Sequence, residues 1–331
     1  MGFWFSHKLT RHVGVSNDNV ARAVMKERTL LSFNKKYPAL DTSGADLARL
    51  LASESLATRE WVSAALRSNT GHDKMLAAAY LINLRPLQSL RFLDNLISLV
   101  NPAKRRICVR AMDIISQLFQ RSLLPKDRVL HPFSSRPTDL TGISNDSATV
   151  EEALCLWYFE EEIKFKYTKF IKSLERLLLS NTVDAFKRRA LSILTQLLIK
   201  IPEGRPLALA IIINKLGDGN KAFASAVIHK LRLIVGKKPQ LTGDVVEEIR
   251  SFLFRPNLLE RAKYYAVVLL SCLELKNSCS SEGGKNSAEI AVALIKVYAA
   301  FFHAAVKASE IPERLTLALL AGLGRATPFV P

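Results

Sequence analysis

The sequence predicts an all-α fold, an α-α superhelical solenoid of HEAT/armadillo-like helix pairs, on three observations. Apolar residues recur at helical spacing along most of the 331 residues. The same apolar register returns in successive stretches. Asparagine, glycine and proline divide the chain into pieces of helix length. The clearest stripe is Ala190, Ile193, Leu194, Leu197, Leu198 and Ile201, spaced i, i+3, i+4, i+7, i+8, i+11. It returns at Ala111, Ile114, Ile115, Leu118 and Phe119, and more weakly at Ala224, Val227, Ile228 and Leu231. Units of about 34 to 47 residues fit these intervals, the period of paired-helix repeats.

Along the chain, residues 1–40 have weak periodicity and read as a weakly ordered segment. Met1-Gly2-Phe3-Trp4-Phe5-Ser6 fits a myristoylation pattern in form, but three bulky aromatics follow the glycine, and we read it as an apolar helix start. Residues 41–123 form N-terminal helical repeats, in which Asn101-Pro102 supplies a cap and a first-turn proline for a helix running through Phe119. Residues 124–149, rich in Pro, Ser, Asp and Thr, read as a linker. Residues 150–331 form C-terminal helical repeats. Within them Glu160–Lys164 and Glu162–Lys166 are i,i+4 pairs, which predicts a solvated helix face, and Asn181-Thr182 can cap the helix that ends near Ile201-Pro202. Arg255 before Pro256 ends a helix at about Phe254, and Asn257 with Glu260 resembles a capping box for the next. In that next helix Ala262, Tyr265, Ala266, Leu269, Cys272 and Leu273 form one stripe, while Tyr264, Val267 and Val268 make the adjoining face apolar, as in a helix packed on both sides. Lys276 to Ser287 reads as a loop.

Nothing in the sequence supports catalysis. Gly217-Asp-Gly-Asn-Lys-Ala222 imitates a dinucleotide fingerprint, but Asn214-Lys215-Leu216 separates it from the preceding apolar run, and it reads as a helix end followed by a turn. Ser32-Phe-Asn-Lys35 lacks the companion motifs of acyl enzymes. The six histidines make no HExxH pair and have no cysteine at ligand spacing. Expectations are therefore no enzyme activity, no metal, no cofactor and no small-molecule substrate. Cys108, Cys155, Cys272 and Cys279 make no CxxC pair and suit a reducing compartment. Unbroken apolar runs such as Leu207 to Ile213 are far shorter than a spanning helix, which predicts no membrane partner.

Charge is the positive signal. Lys and Arg outnumber Asp and Glu by 47 to 30, a net +17 spread almost evenly over the two halves. Such a surface suits a polyanion, whose neutralised phosphates release counterions. Lys104-Arg105-Arg106 falls in the first turns of its predicted helix, where positive charge opposes the helix dipole and local stability does not explain it. Lys187-Arg188-Arg189 and Lys237-Lys238 recur at comparable places in later units, so these eight residues are the candidate nucleic-acid contacts. Phe252, Phe254, Arg255, Tyr264 and Tyr265 are candidate partner contacts, the aromatics reading first as core.

Seven segments carry a resemblance to a known family: His131-Pro-Phe-Ser-Ser-Arg-Pro137, Leu156-Trp-Tyr-Phe-Glu160, Ile213-Asn-Lys-Leu-Gly-Asp218, Ile249-Arg-Ser-Phe-Leu-Phe-Arg-Pro-Asn257, Ala262-Lys-Tyr-Tyr-Ala266, Lys296-Val-Tyr-Ala-Ala-Phe-Phe302 and Leu319-Leu-Ala-Gly-Leu-Gly-Arg-Ala-Thr-Pro-Phe329. In this order they resemble the CCAAT-binding-factor family over roughly residues 58 to 331. Gly324 and Thr327 depart from the family's Asn-Arg-Ala-Tyr-Pro-Tyr run, and the resemblance stops before that domain normally ends, as in a C-terminally truncated member. It implies a nuclear, nucleolar scaffold for early large-subunit (pre-60S) particles. Its implied partners are pre-rRNA, a second Noc-type helical protein and pre-60S assembly factors. The alternative implied by the family's name is a CCAAT-box transcription factor or coactivator, although no zinc finger, basic region with heptads or helix-turn-helix is legible.

Overall fold

The computed structural model describes residue 4 and residues 19–38, 44–68, 70–103, 105–136, 147–273, 287–307 and 312–329. Every regular element among them is helical. They divide into two units, the first of residues 1–182 with 200–203 and the second of residues 183–199 with 204–331. The boundary falls between the helices ending at Leu179 and starting at Asp184, not within 124–149.

The first unit holds α1 (Asn19–Lys36), α2 (Gly44–Leu50), α3 (Leu56–Arg67), α4 (Gly71–Leu84), α5 (Leu90–Ser98), α6 (Arg105–Leu118) and α7 (Ser147–Leu179). Leu47, Leu50 and Leu51 of the α2 end pack on Val62 and Ala65 of α3 and on Ala77 and Leu81 of α4. Helix α3 starts where Ser55 accepts from the Thr58 amide, a side-chain N-cap. Helix α6 runs on into a five-residue π-helical turn, Phe119–Leu123. Phe119 there meets Tyr167 edge-on at 5.0 Å and stacks with Phe170 at 5.8 Å. Such pairs add about 0.5–1.5 kcal/mol each beyond their burial.

Two expectations change in this unit. Residues 19–36 form α1, packed along α7 through Met25, Thr29 and Phe33; three buried positions four residues apart suffice for docking, although they make too narrow a stripe to stand out in the sequence. Asn101 and Pro102 precede α6 without capping it. The Asn101 side chain accepts from the Ala103 amide in a local turn, and the helix starts at Arg105.

The second unit holds α8 (Asp184–Lys200, whose last residue lies in the first unit), α9 (Arg205–Asn214), α10 (Lys221–Lys237), α11 (Thr242–Leu253), α12 (Glu260–Ser271), α13 (Ser287–Lys307) and α14 (Glu313–Ala326). Helices α9, α11 and α13 pack in one row, and α10, α12 and α14 in a second. Within each pair the two rows touch, α9 on α10, α11 on α12 and α13 on α14. The α8 stripe is buried from Ala190 through Ile201, as its spacing predicts.

Helix starts differ from the sequence reading in two places. Asn181-Thr182 lies before α8, which begins at Asp184. Leu259, not Asn257, occupies the N-cap of α12, without a side-chain cap; Asn257 instead takes a left-handed conformation at φ 60° to turn the chain after Pro256. One helix among the described residues, α13, is long and apolar enough over Ala288–Lys307 to cross a membrane, although Glu289, Lys296 and His303 break its apolar run. Its Ile290, Ala291, Leu294, Val297, Tyr298 and Phe301 are buried, against α11 and α14.

Candidate nucleic-acid edge and the packing of the family segments

The α8, α10 and α12 helix starts lie along one edge of the second unit. Asn220 caps α10 by accepting from the Ala222 and Phe223 amides at 3.0 and 3.3 Å, and its Nδ2 donates to Asp184 at the start of α8 at 2.6 Å. Arg261, one residue into α12, donates from Nη2 to the Asp218 and Gly219 carbonyls at 2.8 and 3.1 Å. The three starts are thus tied through the 218–220 turn, and each brings cations. Arg188 and Lys221 are exposed, and Lys187 and Lys263 half-buried. The acidic groups at this edge are partly engaged: Asp218 pairs with Lys215 at 3.8 Å and accepts from the Asn220 amide, and Asp184 holds Asn220, while Glu260 is exposed.

Only part of the predicted basic set falls here. Lys187, Arg188 and Arg189 lie in the first turns of α8, with Arg189 already engaged in an interaction. Lys237 and Lys238 sit at the other end of α10, where they complement the helix dipole. Sixteen residues of rise separate Lys237 from Lys221, about 24 Å. Sequence period alone does not reveal which helix end a residue occupies, so the two clusters are not at comparable places. Arg106 is exposed in the first turn of α6 in the first unit, whereas Lys104 and the Arg105 side chain lie outside the described residues. Neither Lys221, which stands alone, nor Lys263, which an alanine separates from Arg261, belongs to an unbroken basic cluster in the sequence.

The candidate partner residues separate as well. Phe252 is core at 3 % exposure, with the Arg255 guanidinium over its ring at 5.5 Å. Phe254 is 47 % exposed and Tyr264 and Tyr265 are half-buried. Arg255 pairs with Glu248 at 3.6 Å and hydrogen-bonds the Asn214 side chain.

The segments quoted above find their partners in one another. In the first unit Glu160 is fully buried, not solvated. Its Oε1 accepts from Arg128 at 2.6 Å and from the His131 amide at 3.1 Å, and its Oε2 accepts from Arg136. Arg136 lies over the Trp157 ring at 5.2 Å, and Phe133 joins Trp157, Leu154, Val150 and Met25 in one cluster. Burial is the main cause of a lowered Arg136 pKa, which the Glu160 carboxylate opposes. Lys164, expected beside Glu160, instead meets Glu203 at 3.5 Å and donates to the Leu130 carbonyl, while Glu203 accepts from the Leu130 amide at 2.7 Å. Glu162 does pair with Lys166, at 3.3 Å. Residues 128–136 are therefore strapped to α7 by two buried carboxylates.

In the second unit a Cβ on Gly217 would lie 3.7 Å from Ala262 and 3.9 Å from Phe252, so three segments converge there. A Cβ on Gly322 would lie 2.5 Å from the Tyr298 ring and hydroxyl. The Tyr298 hydroxyl is buried without a hydrogen-bond partner among the described residues, and burial pushes its pKa up. Tyr298→Phe is expected to leave stability unchanged or raise it by up to about 1 kcal/mol, because removing an unpaired buried hydroxyl removes its desolvation cost; chemical denaturation checks this.

No family model matches the chain. The chain is 34 % identical over 282 residues to human CCAAT/enhancer-binding protein zeta, covering 84 % of this chain and 26 % of that protein. It is 29 % identical to Drosophila melanogaster nucleolar complex protein 1 over 80 % of this chain and 22 % of the relative. It is 26 % identical to the ribosome biogenesis protein NOC1 of Chaetomium thermophilum over 82 % and 30 %. The chain spans roughly a quarter of the length of these relatives. Seven ordered segments, their mutual packing and this similarity over most of the chain agree that it belongs to the CCAAT-binding-factor family, with CCAAT/enhancer-binding protein zeta and nucleolar complex protein 1.

Proposed function

We propose that the chain is a non-enzymatic scaffold of ribosome assembly, acting in the nucleus and nucleolus. It holds pre-rRNA by its phosphates along the α8–α10–α12 edge and receives a Noc-type helical partner and pre-60S factors on its apolar surface. The observation that carries this reading is the shared edge of three helix starts with Lys187, Arg188, Lys221 and Lys263. Four cations along one edge suit a backbone contact that is positional and blind to base sequence. Relatives named as a nucleolar complex protein and a ribosome biogenesis protein support the assignment of process and place. The family segments serve packing, which supports a scaffold over an enzyme.

The two rows of stacked helices support a HEAT/armadillo-like solenoid for the second unit. Its row-forming helices begin at Arg205, Thr242 and Ser287, 37 and 45 residues apart, inside the expected repeat length. Phe254 and Leu259, exposed on the α11–α12 turn, are our choice for the partner contact.

Replacing Lys187, Arg188, Lys221 and Lys263 together by alanine tests the RNA reading. The slope of log affinity against log salt on a structured rRNA fragment is expected to fall in magnitude by about 3 to 3.6, since each of the four lost phosphate contacts removes about 0.7–0.9. An unchanged slope overturns the edge as the RNA contact. Arg106→Ala serves as a comparison within the first unit. The name CCAAT/enhancer-binding protein zeta favours a second reading, association with CCAAT-box DNA. Competition between a CCAAT duplex and structured RNA of equal charge separates the two, and preference for the duplex over a scrambled duplex supports the second.

A further inference from the structure

Helix α7 buries one stripe and exposes another. Ile163, Tyr167, Phe170, Leu174 and Leu178 recur at helical spacing, are at most 1 % exposed, and hold the helix in the first unit. On the outer side Phe165, Lys169, Lys172, Arg176 and Leu179 follow one another at the same four- and three-residue spacing, and all five are exposed. Phe165 is 63 % exposed although it lies in the middle of a helix whose other aromatics are packed. At the rise of an α-helix the stripe is about 21 Å long, with its three cations about 4.5 and 6 Å apart along the axis.

These cations are largely free of acidic neighbours. Glu161 and Glu162, one turn before Phe165, are engaged by Lys26 at 3.4 Å and by Lys166 at 3.3 Å. Asp94 of α5 lies 3.5 Å from Lys169 but closer to the buried Lys166, at 2.5 Å. Among the described residues Lys172 meets no acid, and Arg176 donates from Nη2 to the Ser173 hydroxyl at 2.9 Å. Half-buried Glu175 is the one acidic residue from Phe165 to Leu179.

A row of cations attracts a polyanion through its phosphates, whatever its bases. An exposed ring in the same row adds a contact that a base completes, because every base has a face on which an aromatic side chain stacks. In a paired helix those faces are already covered by neighbouring bases, so the ring selects RNA whose bases are splayed out.

We propose that the Phe165–Leu179 stripe of α7 is a further RNA site, specific for an unpaired stretch, with a base stacked on Phe165 and successive phosphates on Lys169, Lys172 and Arg176. The proposal rests on the reading of this chain as a holder of RNA and adds a preference to it. The α8–α10–α12 edge takes phosphates of any RNA, whereas the α7 stripe requires an exposed base.

The test uses the full chain carrying alanine at Lys187, Arg188, Lys221 and Lys263, so that the edge does not contribute. Binding of a fluorescein-labelled oligouridylate of about eight nucleotides, within the usual site size of such surfaces, is read by anisotropy. Phe165→Ala is expected to weaken binding about fivefold or more, the loss of one base stack, while Phe165→Trp retains it and Phe165→Leu does not. Lys169, Lys172 and Arg176 replaced together by alanine lower the salt slope by about 2, at about 0.7 for each phosphate of a single strand. Inorganic polyphosphate, which has charge but no bases, responds to the triple replacement and not to Phe165→Ala. Unchanged oligouridylate binding in Phe165→Ala, or an equal loss with polyphosphate, overturns the stripe as a site for unpaired RNA. Tighter binding of an acidic helical peptide than of oligouridylate of equal charge overturns it as well and makes the stripe a protein contact. None of these outcomes alters the salt slope measured for the edge, so the two assignments fail separately.

Discussion

Glu160→Ala is expected to destabilise the first unit by about 3–5 kcal/mol, the cost of leaving a buried cation without its partner. Glu160 is fully buried and binds two guanidinium groups and a backbone amide. Of the two cations Arg136 matters more. It is 5 % exposed, whereas Arg128 is 28 % exposed and can turn to water. Arg128→Ala should therefore cost only about 1 kcal/mol, in the range of a single partly exposed charged hydrogen bond. Glu160→Gln keeps one acceptor oxygen and should fall between the two. Urea denaturation followed by circular dichroism measures these differences. Hydrogen exchange locates them, because the His131 amide bonds Glu160 while the Leu130 amide bonds Glu203. In Glu160→Ala the His131 amide should exchange faster by the same free energy. A loss under about 0.5 kcal/mol, the range of ordinary surface substitutions, would show that residues 128–136 are not held by this carboxylate.

Gly322→Ala carries the second large effect. The added methyl would sit 2.5 Å from both Cζ and Oη of Tyr298 and 3.0 Å from its Cε2. Tyr298 is 1 % exposed, so its ring has nowhere to go without moving α13 from α14. Overpacking of this kind costs about 1–3 kcal/mol, and the upper part of that range is expected where the obstacle is a rigid ring. Gly324 in the same helix is the control. No atom lies within 4 Å of a Cβ built there. Gly324→Ala should therefore stabilise the helix, by up to about 1 kcal/mol from propensity alone. In a Tyr298→Leu background the cost of Gly322→Ala should shrink by more than about 0.5 kcal/mol, the sign of a direct contact in a double-mutant cycle. Equal costs in both backgrounds would disconnect Gly322 from Tyr298.

These two sites show what the sequence makes legible. The stripes at Ala190–Ile201, Ala111–Phe119 and Ala224–Leu231 are mainly buried, because a 3.6-residue apolar period is the physical condition for packing a helix on a neighbour. The helix end before Pro256 is also where steric conflict with the proline ring puts it. Glu160 was misread for an equally physical reason. The i,i+4 rule sees only the helix it is written on, and the partners of Glu160 arrive from 24 and 32 residues away. A carboxylate between Phe159 and Ile163, in a helix with apolar residues on several sides, was the available clue.

The site was less legible than the fold. Basic triplets mark where charge is dense, but an edge is made by helix direction and by turns that tie helix starts together. Asn220, bonded to Asp184, is the residue that defines this edge, and its role as cap of α10 follows from its place before Lys221. Its reach across to α8 has no sequence signature. Phe252 is core, as its first reading has it, whereas Phe254, two residues on, is exposed at the end of α11.

The central claim, that this chain grips RNA phosphates along the α8–α10–α12 edge, is tested most directly by ultraviolet cross-linking of the full chain to a pre-rRNA fragment, followed by peptide mapping. The account predicts cross-links concentrated in residues 184–189, 217–223 and 259–264, disappearing together as salt rises. Cross-links confined to other surfaces, or none above those of a neutral protein of the same size, would contradict it.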